Sequence, residues 1–170
     1  MKKPWYLHQL TQDELKVFVE KSRTGKSNDK AFIGTVTADA AQRIEAVCGK
    51  KVEKIMLEGG AVRHSYSKDY HLLENDDIFH YADVVNTAID IRLSGKKHLS
   101  NEVITFTKDI NGEILFAVEV RVNHGGWLSL VTCYRLHKKI RLGRYSMLRE
   151  SAPRAESSKT LAPCLTIRQP

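Results

Sequence analysis

The chain has 170 residues, of which 42% are hydrophobic and 28% are charged, so it can bury a core. This length suits one compact domain of roughly 100–150 residues with short extensions. No run approaches the roughly 18 consecutive apolar residues that span a bilayer, and no apolar stretch follows the two N-terminal lysines. We therefore expect a soluble, cytoplasmic protein with no secretory signal and no membrane partner.

The formal net charge of +7 is concentrated at the C-terminus. Residues 1–134 contain 18 basic and 18 acidic side chains, whereas residues 135–170 contain nine basic and two acidic ones. A basic arm of this kind is typical of proteins that bind polyanions such as nucleic acids. A tail that only improves solubility would have the same composition, so the charge alone leaves both interpretations open.

The three cysteines, Cys48, Cys133 and Cys164, are odd in number and widely spaced, and no CxxC is present. This pattern supports neither a zinc knuckle nor a disulfide framework. We expect Cys48 and Cys133 to be buried free thiols.

The N-terminal half is predicted to alternate helices and strands. Thr11 with Glu14 forms a capping-box pattern, and Gly49 follows an apolar helical stripe as a C-terminal glycine does. The predicted elements are helix 11–22, loop 23–30, strand 31–36, helix 38–48 and strand 52–57.

The second half is predicted to hold two helices and then four strands. Alternating apolar residues indicate the strands, and Asn111-Gly112 is a strong hairpin signal. Short turns between consecutive strands favour an antiparallel meander. The predicted elements are helices 61–72 and 77–87, strands 89–93, 102–107, 113–122 and 127–136, and a loop at 96–101.

These elements predict an α+β fold in which N-terminal helices pack on a four-stranded antiparallel β-meander. We expect an N-terminal helix and loop over 1–29, the main domain over 30–139, and a basic C-terminal tail over 140–170. The tail is rich in Ser, Ala, Pro and Arg, and residues 150–170 are expected to be poorly ordered.

Two histidines mark the third predicted helix as a candidate site. His64 and His71 are seven residues apart, which places them near one helix face, two turns or roughly 10 Å apart. Lys68 shares that face. Histidines on a helix are also ordinary packed or surface residues, and that alternative remains open. A pair of divalent-metal ligands is less well supported, since no paired carboxylate and no HExxH pattern accompany them.

Two hydroxyls lie close together on the last predicted strand. Thr132 and Tyr134 are two residues apart and therefore point to one face of the strand, while Cys133 points to the other. If the third helix packs on that face, hydroxyls and imidazoles converge. The alternative is that Thr and Tyr are there because both residue types favour strands.

These side chains are the ones that metal-independent RNA cleavage requires. A base must remove the proton of the ribose 2′-OH and an acid must protonate the leaving 5′-oxygen, and histidine suits both tasks. Arg, Lys, Thr and Tyr can donate hydrogen bonds to the pentavalent phosphorane. No cofactor or metal is needed, and no P-loop, GxSxG or GxGxxG pattern points to another chemistry.

With these residues in place, the chain from about residue 30 to 139 resembles the phage- and prophage-associated nucleases of the barnase–EndoU–colicin–RelE superfamily. No single segment is specific for this superfamily, but the order of the segments along the chain is. The segments that carry the resemblance are FIGTV at 32–36, CGKKV at 48–52, the VRH…H segment at 62–71, DDI at 76–78, ITFTK at 104–108 and LVTCY at 130–134.

The resemblance implies a helix-plus-meander endoribonuclease that acts by general acid–base catalysis. Its substrate would be RNA, with tRNA as one candidate. Members are often toxins or toxin domains attached to phage head proteins, which implies an immunity protein or a phage head protein as partner and a bacterial cytoplasm or virion as location. The implied catalytic residues are His64, His71, Thr132 and Tyr134. The expected phosphate contacts, from the resemblance and from the basic arm, are Arg63, Lys68, Lys108, Arg135, Lys138 and Lys139.

Two other functions remain compatible with the sequence. A nucleic-acid-binding protein without catalysis would use the same basic arm and meander. A phage structural or interaction module would need His64 and His71 only for packing.

Overall fold

The computed structural model describes residues 4–112 and 114–137. Its four α-helices are α1 (Gln12–Thr24), α2 (Ala38–Cys48), α3 (Gly59–Tyr66) and α4 (Tyr81–Thr87). Its six strands are β1 (Lys30–Thr35), β2 (Lys54–Glu58), β3 (Asp90–His98), β4 (Asn101–Asp109), β5 (Ile114–Asn123) and β6 (Trp127–His137). Short 3-10 helices lie at Trp5–Leu7, Asp69–His71 and Asp77–His80. The predicted α+β class is confirmed, and in the part described no helix is long and apolar enough to cross a bilayer.

The strands form one mostly antiparallel sheet in the order β1-β2-β6-β5-β4-β3. The last four strands pair antiparallel with their sequence neighbours, which confirms the meander. The predicted four-stranded sheet is nevertheless too small. β2 pairs parallel with β6, and β1 pairs antiparallel with β2. Both strands were predicted as elements, but the parallel pairing joins segments far apart in sequence, which local patterns do not reveal.

The two faces of the sheet differ in chemistry because side chains alternate along each strand. One face carries the apolar core, which the helices cover. Its sheet residues include Ile55, Leu57, Ile104, Phe106, Val118, Val120, Leu128, Leu130 and Cys133. The opposite face, called the polar face below, is identified by cross-strand pairing. It includes Glu58, Thr105, Glu119, Arg121, Ser129, Thr132 and Tyr134.

The third helix is shorter than predicted. It ends at Tyr66, where the Ser67 N–H donates to the Arg63 carbonyl. Lys68 is extended, and His71 lies in the separate 3-10 helix Asp69–His71. The prediction that both histidines share one helix face is therefore wrong. Periodicity could not reveal the break, because seven-residue spacing fits a helix whether or not the chain leaves it.

The segment 96–101 was predicted as a loop, but it is largely strand. β3 continues to His98, and Leu99-Ser100 turn directly into β4 with φ values of 48° and 65°. Two positive φ values are typical of tight hairpin turns, which usually contain Asn or Gly. Leu-Ser lacks that signature. A register irregularity between Leu93 and Lys97 interrupts the pairing of β3 with β4.

A buried ion pair joins the end of β6 to the Asp77–His80 helix. The Arg135 guanidinium binds the Asp77 carboxylate through two bonds, Nε–Oδ2 at 2.8 Å and Nη2–Oδ1 at 2.7 Å. Arg135 also contacts Glu74. Asp77 is 2% exposed. Loss of the guanidinium would leave a buried carboxylate without its cation, which is costly.

We therefore expect Arg135→Gln to lower the free energy of unfolding by about 3 kcal/mol, measured by urea denaturation. The exposed Lys97→Gln, which also removes one positive charge, should change it by less than about 0.5 kcal/mol. Equal stability of the two variants would show that the Arg135–Asp77 pair contributes nothing to the fold.

Candidate active site

The edge of β6 is shared between a strand and a helix. β2 pairs with β6 only from Trp127 to Ser129. Beyond that point α3 lies against β6, and the Ser65 hydroxyl accepts the backbone N–H of Cys133 at 3.2 Å. This hydrogen bond satisfies a strand donor and places the end of α3 beside Thr132 and Tyr134.

His71 is held in a defined orientation. Its Nδ1 lies 2.8 Å from the Ser65 carbonyl oxygen, and because a carbonyl can only accept, Nδ1 donates. The neutral ring therefore keeps Nε2 as the nitrogen that can take up a proton. The ring is 5% exposed, and the Tyr70 ring packs edge-on at 4.8 Å between centroids.

The structure brings together the four residues predicted as catalytic. The rings of His64 and His71 lie 6.0 Å apart between centroids, and those of His71 and Tyr134 lie 5.9 Å apart. Thr132 precedes Tyr134 by two residues on the same strand face. The imidazoles thus come from α3 and from the following 3-10 helix, and the hydroxyls come from the polar face of β6.

Glu119 and Lys96 belong to the same cluster, although neither was predicted. Glu119 is paired directly opposite Thr132 on β5, and its Oε1 accepts from Lys96 Nζ at 2.9 Å and from the Tyr134 hydroxyl at 3.3 Å. The sequence did contain a signal, since Glu119 directly follows the apolar run 114–118 within this strand. A buried carboxylate needs partners of this kind, and the distant Lys96 could not be assigned to it in advance.

Two buried side-chain atoms of the polar face lack a hydrogen-bond partner among the described residues: Thr132 Oγ1 and Arg121 Nε. The two residues are 7% and 8% exposed and lie on adjacent strands. Folded proteins leave few buried polar atoms unpaired. Two such donors on one sheet face are therefore unusual.

The electrostatics of the cluster favour a neutral His64. Partial desolvation lowers the pKa of His64, and the positive charges of His71, Lys68 and His98 lower it further, while the carboxylate of Glu119 opposes them. A lowered pKa means that the imidazole is unprotonated over a wider range near neutral pH. His64 can therefore accept a proton there, while Lys68 and Lys96 supply positive charge nearby.

Three of the predicted phosphate contacts are engaged elsewhere. Arg63 donates to the Ser27 carbonyl and to Asn28 Oδ1, both at 2.5 Å, and so ties α3 to the preceding loop. Lys108 and Arg135 lie on the helix-covered face of the sheet, where Lys108 pairs with Asp83 at 2.5 Å. The side chains of all three are thus engaged in structural contacts.

Lys68 is the predicted phosphate contact that lies near the cluster, since its charge acts on His64. Lys138, Lys139, Cys164 and the predicted tail 140–170 lie outside the described residues.

The cysteines do not contribute a nucleophile to the described site. Cys133 is a buried free thiol as predicted, and burial raises its pKa to about 12. Cys48 is a free thiol that is half-buried, not fully buried as predicted. Among residues 4–112 and 114–137, no group of three or more His, Cys, Asp or Glu side chains is arranged to hold a metal ion.

No family model, no curated protein and no solved structure matches this chain. The assignment of a function therefore depends on the chemistry of the cluster described above.

The pKa of His64 gives a direct test of the cluster. We expect Lys68→Met to raise this pKa, because a positive charge is removed, and Glu119→Gln to lower it, because a negative charge is removed. Both midpoints can be followed by NMR titration of the histidine ring protons. Lys16→Met, on α1, is the matched control and should leave the midpoint unchanged. A shift of the same sign in both variants would contradict the described arrangement.

Proposed function

We propose that this chain is a metal-independent endoribonuclease that cleaves RNA by general acid–base catalysis. The observation that carries the proposal is the convergence of His64, His71, Thr132 and Tyr134 on one cluster. A histidine that served only packing or solubility would not require a second imidazole and two strand hydroxyls beside it. The resemblance to the barnase–EndoU–colicin–RelE superfamily, with a toxin role and an immunity or phage head partner, is part of the same proposal.

The roles follow from the environment of each side chain. His64 has a lowered pKa and acts as the general base that removes the 2′-OH proton. The 2′-oxygen then attacks the adjacent phosphorus. His71, oriented by the Ser65 carbonyl, acts in its imidazolium form, which carries a proton on both ring nitrogens, and gives the Nε2 proton to the departing 5′-oxygen. The products are a 2′,3′-cyclic phosphate and a free 5′-hydroxyl, so protons and bonds balance without a co-reactant.

The remaining groups stabilise the charge that develops on the phosphorane. Thr132 Oγ1 has no partner among the described residues and can donate to a non-bridging oxygen. Tyr134 and Lys96 lie beside it and are held by the Glu119 carboxylate. Glu119 is therefore a positioning residue, which orients two donors and limits the positive charge of the site.

Cleavage of labelled single-stranded RNA in EDTA tests the proposal. We expect His64→Ala and His71→Ala each to lower the rate about 10²- to 10⁴-fold, the usual contribution of an acid–base group. His124→Ala, in the exposed β5–β6 turn, is the matched control and should cleave at the unchanged rate. Replacement of the ribose by 2′-deoxyribose at the cleavage site should abolish the reaction.

His64→Ala with full activity would refute the assigned base. Measurable RNA binding by the wild-type protein without any cleavage would favour the non-catalytic binder. Neither binding nor cleavage would favour the structural module.

Thr132 offers a separate test of transition-state stabilisation. Thr132→Val keeps the shape of the side chain and removes the donor, so we expect kcat to fall about 10²-fold with little change in KM. Thr132→Ser retains the hydroxyl and should recover most of the rate. Equal losses in both variants, measured under single-turnover conditions, would attribute the effect to packing.

A further inference from the structure

The polar face of the sheet extends well beyond the histidine cluster. On β5, Arg121 follows Glu119 on the same face, and it is paired with Ser129 of β6. Trp127 is next along that face of β6, and Lys54 of β2 is paired with Trp127. One sheet face thus runs from the histidine cluster to an aromatic and basic group at the other end of β6, and Arg121 and Ser129 between them are buried.

Arg121 is built into this surface as a donor. Its Nη1 donates to Asn123 Oδ1 at 2.7 Å and its Nη2 donates to Glu58 Oε1 at 3.1 Å, which fixes the plane of the guanidinium. A further donor, Nε, is buried without a partner among the described residues. Glu58 is also shared with Lys30 at 3.8 Å, so the three charged groups together keep one positive charge.

The far end of the surface combines aromatic rings with a cation. Trp127 packs edge-to-face against Phe32, with 5.7 Å between ring centroids. Lys54 Nζ lies 4.8 Å from the Trp127 centroid and 5.6 Å from the Phe32 centroid. Trp127 is half-exposed. Aromatic rings for bases beside cations for phosphates are the composition of single-strand nucleic-acid sites.

We propose that Arg121, Lys54 and Trp127 form a second nucleotide subsite, which binds a phosphate and a base of single-stranded RNA away from the scissile bond. The Lys54 ammonium contacts the phosphate and a base stacks on the neighbouring Trp127 indole, while the positive charge of the buried Arg121 guanidinium adds to the attraction for the phosphate. This inference rests on the proposed function for the identity of the ligand as RNA. It adds that the substrate is an extended single strand, because a duplex cannot present an unstacked base.

The spacing explains why a short substrate would not reach both places. Trp127 precedes Thr132 by five residues, which is roughly 16 Å of extended strand. A ligand that occupies the histidine cluster and the Trp127 ring at once must therefore be an oligonucleotide of several residues.

Binding of uncleavable oligonucleotides tests the subsite. The probes are fluorescein-labelled 2′-O-methyl RNA strands, one of about a dozen nucleotides and one dinucleotide, measured by fluorescence anisotropy with the full chain. Trp127→Ala should weaken binding of the longer strand about five- to 100-fold, the range expected for loss of one stacked base. Trp127→Phe should retain most of the affinity. The ratio of the affinity for the longer strand to the affinity for the dinucleotide should fall by the same factor in Trp127→Ala.

A second variant covers the case in which Trp127→Ala does not fold. Lys54→Met should reduce the dependence of binding on salt concentration by about one phosphate contact. Lys51→Met is the control, since it removes the same charge from an exposed position three residues away. It should leave the salt dependence of binding unchanged. Equal salt slopes for the two lysine variants, or a folded Trp127→Ala with unchanged affinity for the longer strand, would overturn the subsite.

These outcomes are independent of those for the enzyme. Trp127-dependent binding by a protein that cleaves nothing would keep the subsite and remove the endoribonuclease. Histidine-dependent cleavage together with unchanged binding by Trp127→Ala would keep the endoribonuclease and remove the subsite.

Discussion

The candidate site depends on how the free edge of β6 is completed. β2 covers only three residues of this edge, and the next part of it donates the Cys133 N–H to the Ser65 hydroxyl of α3. A strand donor without an acceptor is expensive in a buried position. The chain therefore has to bring α3 against β6, and the residues that follow α3 are carried to the polar face of the sheet.

The junction between β2 and α3 makes this approach possible. β2 ends at Glu58 and α3 begins at Gly59 without an intervening residue. A Cβ at Gly59 would lie 2.6 Å from the Ser27 carbonyl oxygen and 3.0 Å from Ser22 Oγ. Only glycine permits contact this close with backbone. Arg63 then secures α3 to the same loop through Ser27 and Asn28.

The polar face carries a cost that the apolar face does not. Glu119, Arg121 and Thr132 are all buried, and two of them keep an atom without a hydrogen-bond partner in the described structure. A sheet selected for stability alone would replace such groups with apolar side chains. Retained polar groups that are incompletely satisfied are a feature of functional surfaces. Under the proposed function, these polar groups are retained because they act on the RNA substrate.

Charge and chemistry are also separated along the sequence. The excess positive charge belongs to residues 135–170, whereas the histidine cluster lies in a segment with balanced charge. The charges inside the cluster, with Lys96 paired to Glu119 and Lys68 acting on His64, are local. Under the proposed function, the C-terminal arm contributes to affinity and the cluster contributes to turnover.

The sequence by itself determined most of the elements and the candidate residues. Helix caps at Thr11 and Thr37 and the turn at Asn111-Gly112 are local signals, because they depend on hydrogen bonds and dihedral angles within a few residues. His64, His71, Thr132 and Tyr134 could be selected by residue type and spacing. Residue type fixes their functional groups, whereas their proximity and the lowered pKa of His64 depend on the fold.

Tertiary structure alone decided the parallel pairing of β2 with β6, the break after Tyr66 and the roles of the charged residues. Arg63, Lys108 and Arg135 looked like phosphate contacts in sequence but satisfy carbonyls and carboxylates across the fold. Lys96 and Glu119 were missed for the same reason. The role of a charged side chain depends on the partner that it contacts. These partners come together only when the whole chain is folded.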